Sequence, residues 1–462
     1  MRLFRRLHPR RAPLNRRERG VAMLVVLTWL ALMISLVSEF TYGTTVDAAQ
    51  AANARDELRA HYLARSAVSL ARLLIKIQQR YIDPSMAQAK QMLQSALGGS
   101  SSTAGAAGGL GGLGAMAFSL RITDYAGPLM GFFSGSKDEV ASLGSLVGIN
   151  TAGIKGLGLK SGSFDAEITS EDGKIDIACG SGVAPLRDRQ LTVYRLLNGL
   201  MFSRRFDRLF SEADKDGQFT TRPEVARAII DWADADDQMF SPEGSAGGED
   251  YKYDARADRY RAHDNSYDTI EELKMVRGVS DAFMEAFGPH LTTYAYGQDC
   301  KVNLGAISNK NGGDCTPLLM GIIRAAVTPD PGKPPTDPGI LDDTRLYPIA
   351  SVACDRASAA GFDSLATVTG LMKNPQTAVL PDDPRYKIFQ SMPPIVISDA
   401  DLAKVVKVDS PRVYRVVATG VSGRVKKKIT AIIDTRRQVE NPLTINPLSE
   451  MAAGVLQYWR EE

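Results

Sequence analysis

Hydrophobic and polar positions divide the chain into unlike stretches. From Val21 to Val37 (VAMLVVLTWLALMISLV) seventeen consecutive positions carry no charge, and only Thr28 and Ser35 are polar. As a helix this run rises about 25 Å, the short end of what spans a bilayer. Nothing breaks its apolarity around the helical wheel, which argues against a buried core helix. A cleaved secretory signal competes with a retained membrane helix, but no small-x-small site comes after it in SEFTYGTT. No Pro and only Gly43 interrupt the chain up to Arg80. There the pattern turns amphipathic, with Leu58, Tyr62, Leu63, Val68, Leu70, Leu74 and Ile77 near helical spacing and Arg55, Glu57, Arg59, Arg65 and Arg72 between them. The pattern predicts one long helix that starts in the membrane and emerges to pack on a body.

Further on, Leu97–Gly114 is rich in Gly, Ser and Ala and reads as a loop. Phe164–Ser170 alternates, turns at Glu171-Asp172-Gly173 and resumes at Lys174–Ala178, a predicted β-hairpin. Leu191–Phe210 and Arg222–Trp232 have helical periodicity, and Thr269-x-x-Glu272 is a capping-box pattern that opens another helix. Residues 190–296 therefore read as mostly helical, bracketed by strands. Thr328–Pro338 is a Pro-rich linker or surface loop. Phe362–Gly370 faintly repeats the pattern of Tyr267–Gly278. Arg412–Thr419 and Val425–Ile433, flanking a Gly-rich turn, predict a closing β-hairpin, and Leu448–Trp459 a short helix.

Charge changes this picture at one end. The formal net charge of +2 averages two unlike parts. Met1–Gly20 holds eight Arg and one acid, Glu18, and is +7; the remaining 47 bases and 52 acids make the rest −5. An Arg-rich flank before the apolar run and none after it places Met1 in the cytoplasm and the bulk outside. A mildly acidic body is a poor nucleic-acid binder, since phosphate recognition needs a basic face. The turn around Val276-Arg277-Gly278-Val279 has acids beside it and reads as a packing module.

Two acidic stretches are candidates for chemistry. Asp231, Asp234, Asp236, Asp237, Glu243, Glu249 and Asp250 offer hard oxygen ligands of the kind Ca²⁺ takes, with glycines that let the chain curl back; a solvated acidic loop is the competing reading. Glu212, Asp214 and Asp216 with Gly217 match the first half of an EF-hand loop, but Pro223 stands at the twelfth position and Glu224 comes one residue late. An Asp-Gly turn explains that stretch equally well. Cys179, Cys300, Cys315 and Cys354 show no CxxC spacing and allow three pairings; Cys300–Cys315 is the first choice, with free buried thiols as the alternative. No Ser/His/Asp arrangement, HExxH or P-loop is present, so an enzyme is not expected.

Arg16-Arg17-Glu18-Arg19-Gly20 followed by Val21-Ala22-Met23-Leu24-Val25 resembles a prepilin-type signal. That resemblance implies cleavage after Gly20 by prepilin peptidase and methylation of the new terminus, Val21. Most pilin-like chains carry Glu at the fifth mature position; here it is Val25. Asp231-Trp232-Ala233-Asp234-Ala235-Asp236 resembles the DWxDxD segment of the minor pseudopilin K family of type II secretion (general secretion pathway protein K), which lacks that Glu. Gly247-Gly248-Glu249-Asp250-Tyr251, Tyr260–Asn265, Thr269–Gly278 and Lys301-Val302-Asn303-Leu304 resemble the subsequent segments of that family.

The resemblance implies an α+β fold, a pilin-like long N-terminal helix on an antiparallel sheet with a large inserted helix-turn-helix (SAM-like) subdomain. The expected division is a cytoplasmic leader (1–20), the transmembrane and amphipathic helix (21–80), the pilin body with its first strands (81–189), the helical subdomain (190–299), the return strand and C-terminal sheet (300–447) and a C-terminal helix (448–462). It further implies calcium, with Asp234, Asp236, Glu249, Asp250, Glu212, Asp214 and Asp216 as candidate ligands. The expected role is that of a non-enzymatic tip subunit initiating or capping the pseudopilus for export across the outer membrane, single-pass in the inner membrane with its bulk periplasmic. The expected partners are minor pseudopilins I, J and H and the major pseudopilin G. A bitopic periplasmic Ca²⁺-binding receptor or carboxylate hydrolase is the alternative.

Overall fold

The computed structural model describes residues 16–85, 88, 121, 123, 126–127, 129–130, 162–181, 186–212, 219–242, 247–248, 253, 260–295, 299–309, 313–327, 338–436 and 454–462. Its first element, α1 (Arg16–Ile77), is a single helix of 62 residues, about 90 Å long, and continues into a π turn at Gln78–Ile82. Val21 to Tyr42 is exposed throughout. From Ala60 on, one face is buried by Ala60, Ala64, Ala67 and Ala71, with Val68, Leu74 and Ile75 beside them. Alanines at steps of three and four leave no bulk between helix axis and sheet, so the helix lies close.

It lies on a four-stranded antiparallel sheet formed by β1 (Ser163–Ser170), β6 (Val413–Ser422), β7 (Val425–Asp434) and β8 (Val455–Glu461), in the order β1-β6-β7-β8. Every second residue of β6 (Tyr414, Val416 and Ala418) is buried, as are Ile429, Ala431 and Ile433 of β7; these form one core with the α1 alanines. The predicted closing hairpin is β6–β7. Ser422 pairs with Val425 across Gly423 and Arg424, and Gly423 takes φ +58°, as a two-residue II′ turn requires at its first position.

Several sequence expectations are corrected. Phe164–Ser170 forms β1, but it does not form a hairpin with the segment after it. β1 pairs with β6 (Ile168 opposite Val416), while β2 (Ile175–Asp176) runs parallel to β3 (Leu291–Thr292). Glu171 is fully buried, 3.1 Å from Lys174 Nζ and 2.6 Å from Arg415 Nε, and this anchored ion cluster turns the chain out of the sheet. Burial pushes the Glu171 carboxyl up, but Lys174 and Arg415 outweigh it and hold it at about 2.

Residues 455–461, expected in a C-terminal helix, are strand β8. A short apolar-aromatic segment (VLQYWRE) beside the open edge of β7 gains a full ladder there. Leu191–Phe210 is two helices, α2 (Arg187–Met201) and α3 (Asp207–Ser211). Ser203 turns extended between them, and its Oγ and the Arg204 N–H both donate to Asp343 Oδ2 at 2.8 and 3.1 Å.

The helical layer extends well past residue 299. After α4 (Arg222–Asp231), a 3₁₀ segment at Ile270–Met275 and α5 (Asp281–Phe287) come β3 and β4 (Val302–Asn303), then α6 (Thr316–Val327), buried all round. α7 (Asp343–Ala360), α8 (Leu365–Lys373), α9 (Pro384–Ser391) and α10 (Asp399–Leu402) come next, and β5 (Val406–Lys407) returns parallel to β4. A single core cluster runs from Ile175 to Val406. At its centre α2 and α6 cross glycine to glycine: a Cβ on Gly321 would lie 2.8 Å from Leu200 Cα.

Cys300 bonds to Cys179 and Cys315 to Cys354, not Cys300 to Cys315. One bridge ties the residue after the β2 turn to the approach to β4; the other ties α6 to α7. The sequence-near pair is separated because Cys315 opens α6 and points into the helical core, while Cys300 is held beside the sheet-side strands.

Candidate functional site: a buried acidic corner and an exposed helix

The acidic corner is built at the C-terminal end of α4. That helix is opened by a full capping box, in which Thr221 and Glu224 satisfy each other's backbone N–H groups, with Pro in the first turn. The Glu expected one residue late in an EF-hand register is therefore the N3 residue of a helix cap, and Thr221 N donates to its Oε2 at 2.9 Å. Glu212 is exposed and 2.7 Å from Arg208 Nε. Asp214 and Asp216 lie outside the described residues, as do Glu249 and Asp250.

Past the last turn of α4 the chain curls, and Trp232, Ala233 and Asp234 are buried with Asp231. Asp231 Oδ1 accepts the Phe240 N–H at 2.6 Å, and Asp236 Oδ1 the Gln238 N–H at 2.9 Å. Gln238 and Gly248 bridge, and Met239 N donates to Gly247 O at 2.8 Å, so the loop does return on itself. Asp234 sits at the bottom, 2% exposed. Its Oδ2 accepts from Gln190 Nε2 at 2.8 Å, and its Oδ1 has no hydrogen-bond partner among the described residues. Burial, and then repulsion from Asp231, Asp236 and Asp264, pushes its carboxyl up to about 8. A cation would relieve both the bare oxygen and the repulsion. Among the described residues no group of three or more His, Cys, Asp or Glu is placed to hold a metal ion. The cavity beside Asp231, lined by Arg227, Tyr253 and Arg277 among others, is about 20 Å³, room for about one water molecule.

The turn at Val276-Arg277-Gly278 is packed inward. Gly278 takes φ +81°, and a Cβ there would lie 2.7 Å from Val225 Cγ2 and 2.9 Å from Thr220 Oγ1. Arg277 is buried and approaches Glu224 at 3.7 Å. Thr269 and Glu272 form the predicted capping box, opening a 3₁₀ segment rather than an α-helix.

Residues 200–296, which carry this corner, match the family model for type II secretion system protein K. No curated protein matches the chain. Among solved structures it is similar to a chain described as part of the GspK-GspI-GspJ complex of the enterotoxigenic Escherichia coli type 2 secretion system. The identity is 12%, over 65% of this chain and 80% of that one, at a TM-score of 0.37. The segment that matches the family model holds the capped helix α4, the buried Asp231 and Asp234, and the packed turn at Gly278.

The second candidate element lies outside the matched segment. α1 is the one helix among the described residues long and apolar enough to cross a membrane, a single-pass anchor by length and composition. Val21 and Val25 are 62% and 51% exposed on it. Sequence reading missed the ion cluster of Glu171, Lys174 and Arg415 that joins sheet to helical layer; an acidic turn next to a lysine gives no hint of an arginine about 240 residues away.

Proposed function

We propose that the chain is a minor pseudopilin at the tip of the type II secretion pseudopilus, where it initiates or caps assembly for export across the outer membrane. The observation that carries the reading is a protein K segment on the same body as a long N-terminal helix whose first half is apolar and unpacked. Prepilin peptidase cuts after Gly20, and Val21 becomes the methylated terminus. A charge in lipid is costly, and a first subunit has no neighbour ahead whose terminal ammonium its fifth residue must neutralise, which suits Val25. The +7 leader keeps the N-terminal side of the helix in the cytoplasm and the body in the periplasm. Minor pseudopilins I, J and H, and G behind them, meet the chain through α1.

The acidic corner is a calcium site in this reading, with Asp234 at its base and Asp236, Glu249 and Asp250 completing it. Ca²⁺ there stabilises the loop rather than taking part in a reaction. The test is detergent extraction from membranes expressing this chain with pseudopilins I and J, followed by native mass spectrometry. One copy of this chain with one each of I and J is expected. Recovery of this chain only alone, under conditions where I and J associate with each other, overturns the role.

A further inference from the structure

A groove of about 470 Å³ opens where the end of α2 and the break at Ser203 meet α6 and the first turns of α7, and none of its lining residues belongs to α1 or to the acidic corner. Leu200 and Met320, both buried, line it together with Pro317, Pro348, Phe206 and Tyr347. Tyr347 stands 46% exposed on it, and its neighbours in the chain add Phe202 at 39% and Leu341 at 38%. Asp343 clamps the three elements. Its Oδ2 accepts from Ser203 Oγ and the Arg204 N–H, and its Oδ1 from the Arg324 guanidinium. Arg324 Nε donates to Ile340 O at 3.2 Å, and the same guanidinium lies 4.8 Å from the Phe202 ring. Burial pushes the Asp343 carboxyl up, but hydrogen bonds from Arg324 and Ser203 outweigh it and hold it below the usual carboxylate range. The walls are thus formed in advance, and an occupant does not have to order them.

The charge of the groove separates possible occupants. Its lining holds two arginines, Arg205 and Arg324, against one acid, Asp343. Arg324 and Asp343 are spent on each other. Arg205 is exposed, 4.4 Å from the Phe206 ring, and has no ion-pair partner among the described residues. The acids next along the chain are engaged, Asp207 with Arg222 and Asp342 in capping α7. In a chain that is −5 from Val21 on, this is a local reversal of sign. Pro317 and Pro348 have no N–H, and the Ser203 hydroxyl and Arg204 N–H already donate to Asp343, so directed donors for a small polar solute are few. An inorganic anion would use Arg205 and leave the apolar walls wet. A helix about 10 Å across would fill 470 Å³ in about one turn, so a helical partner does not fit. An extended chain with an aromatic side chain beside a carboxylate meets both the rings and the free guanidinium.

We propose that this groove docks an extended acidic segment of another protein, with one aromatic side chain set against Phe206 and Tyr347 and a neighbouring carboxylate on Arg205. Nothing in the groove involves α1, so this docking site stands or falls apart from the pseudopilin reading.

The test embeds the full chain in lipid nanodiscs and selects binders from displayed short peptides of random sequence, with the Arg205→Glu, Tyr347→Ala variant in parallel. Peptides that carry Phe, Tyr or Trp within two positions of Asp or Glu are expected to be enriched. Their affinity falls about tenfold in the variant, the size of a rim ion pair turned repulsive together with a lost aromatic contact. A selected peptide should slow hydrogen exchange at residues 200–206 and 343–348, and Leu380→Ser, exposed and outside the lining, should bind it as the parent does. Both substituted positions are exposed, and unchanged thermal unfolding shows that the fold is kept; if the double variant melts early, Arg205→Gln alone carries the comparison. Enriched peptides that lack either the aromatic or the acid, equal binding to parent and variant, protection elsewhere, or self-association of the chain that Arg205→Glu abolishes overturns the proposal.

Discussion

Gly420 is where the sheet touches the helix, and replacing it tests the close approach on which the pilin-like body depends. A Cβ at Gly420 would sit 2.5 Å from Ala64 N and closer still to Ala60 O, both rigid backbone. Ordinary van der Waals contact begins at about 3.4 Å, so in Gly420→Ala α1 must lift by about 1 Å. A radial gap of that size forfeits a quarter to a half of each dispersion contact, here along the seam of Ala60, Ala64, Ala67 and Ala71. Overpacking of this kind costs about 2–3 kcal/mol. The readout is amide hydrogen exchange of residues 60–78 in the detergent-solubilised protein, where 2–3 kcal/mol lost from local opening speeds exchange about 30- to 150-fold. Gly43→Ala, the same substitution in α1 itself with nothing within 4 Å, is the internal reference and should be neutral or slightly stabilising. Exchange in Gly420→Ala no faster than in Gly43→Ala would refute the close-packing argument.

The other predictions concern the body. Removing Cys179–Cys300, which closes a separation of 121 residues, should cost about 5 kcal/mol and removing Cys315–Cys354, a separation of 39, about 4; chemical unfolding of the paired-serine variants should rank them in that order. His290 is buried, and burial, then the nearby Lys174, lowers its imidazole to about 4, with Asp314 opposing. Its depressed folded-state value means stability is lost as pH falls from about 6.5 to about 4, by about 3 kcal/mol, and His290→Gln should flatten the thermal midpoint across that window. Millimolar Ca²⁺ should raise the thermal midpoint relative to chelator, and Asp234→Asn should abolish the shift while leaving the Cys315–Cys354 bridge formed; an unaltered shift in the variant removes Asp234 from the site.

Features carried by local period were legible in the sequence. The long helix showed in an uncharged run passing into amphipathic spacing. The β6–β7 hairpin showed in two β-rich runs around a Gly turn, and the box at Thr269 and Glu272 in its spacing. Where a partner far along the chain decides, the pattern was silent. The turn at Glu171 reads as a hairpin turn until Arg415 is beside it. Thr316–Val327 is buried nearly all round, with Arg324 its one charged residue, and beyond residue 299 only the faint repeat at Phe362–Gly370 pointed to the helical layer. Residues 455–461 are too short and too apolar to distinguish strand from helix without the open edge of β7. Cysteine pairing obeys the path of the chain, not the distance between cysteines in sequence. At the acidic corner the residue types were legible, but not that Asp234 is buried beneath its neighbours, nor that Glu224 caps a helix.

The central claim is that the chain is a processed pilin-type subunit, and the most direct test is the intact and N-terminal mass of the protein purified from membranes of a host containing prepilin peptidase. A processed subunit begins at Val21 and carries one methyl group on its amino terminus, with unprocessed protein accumulating when Gly20 is replaced by a bulky residue. A mature chain that retains Met1–Gly20, or that begins downstream of the apolar run, would contradict the claim.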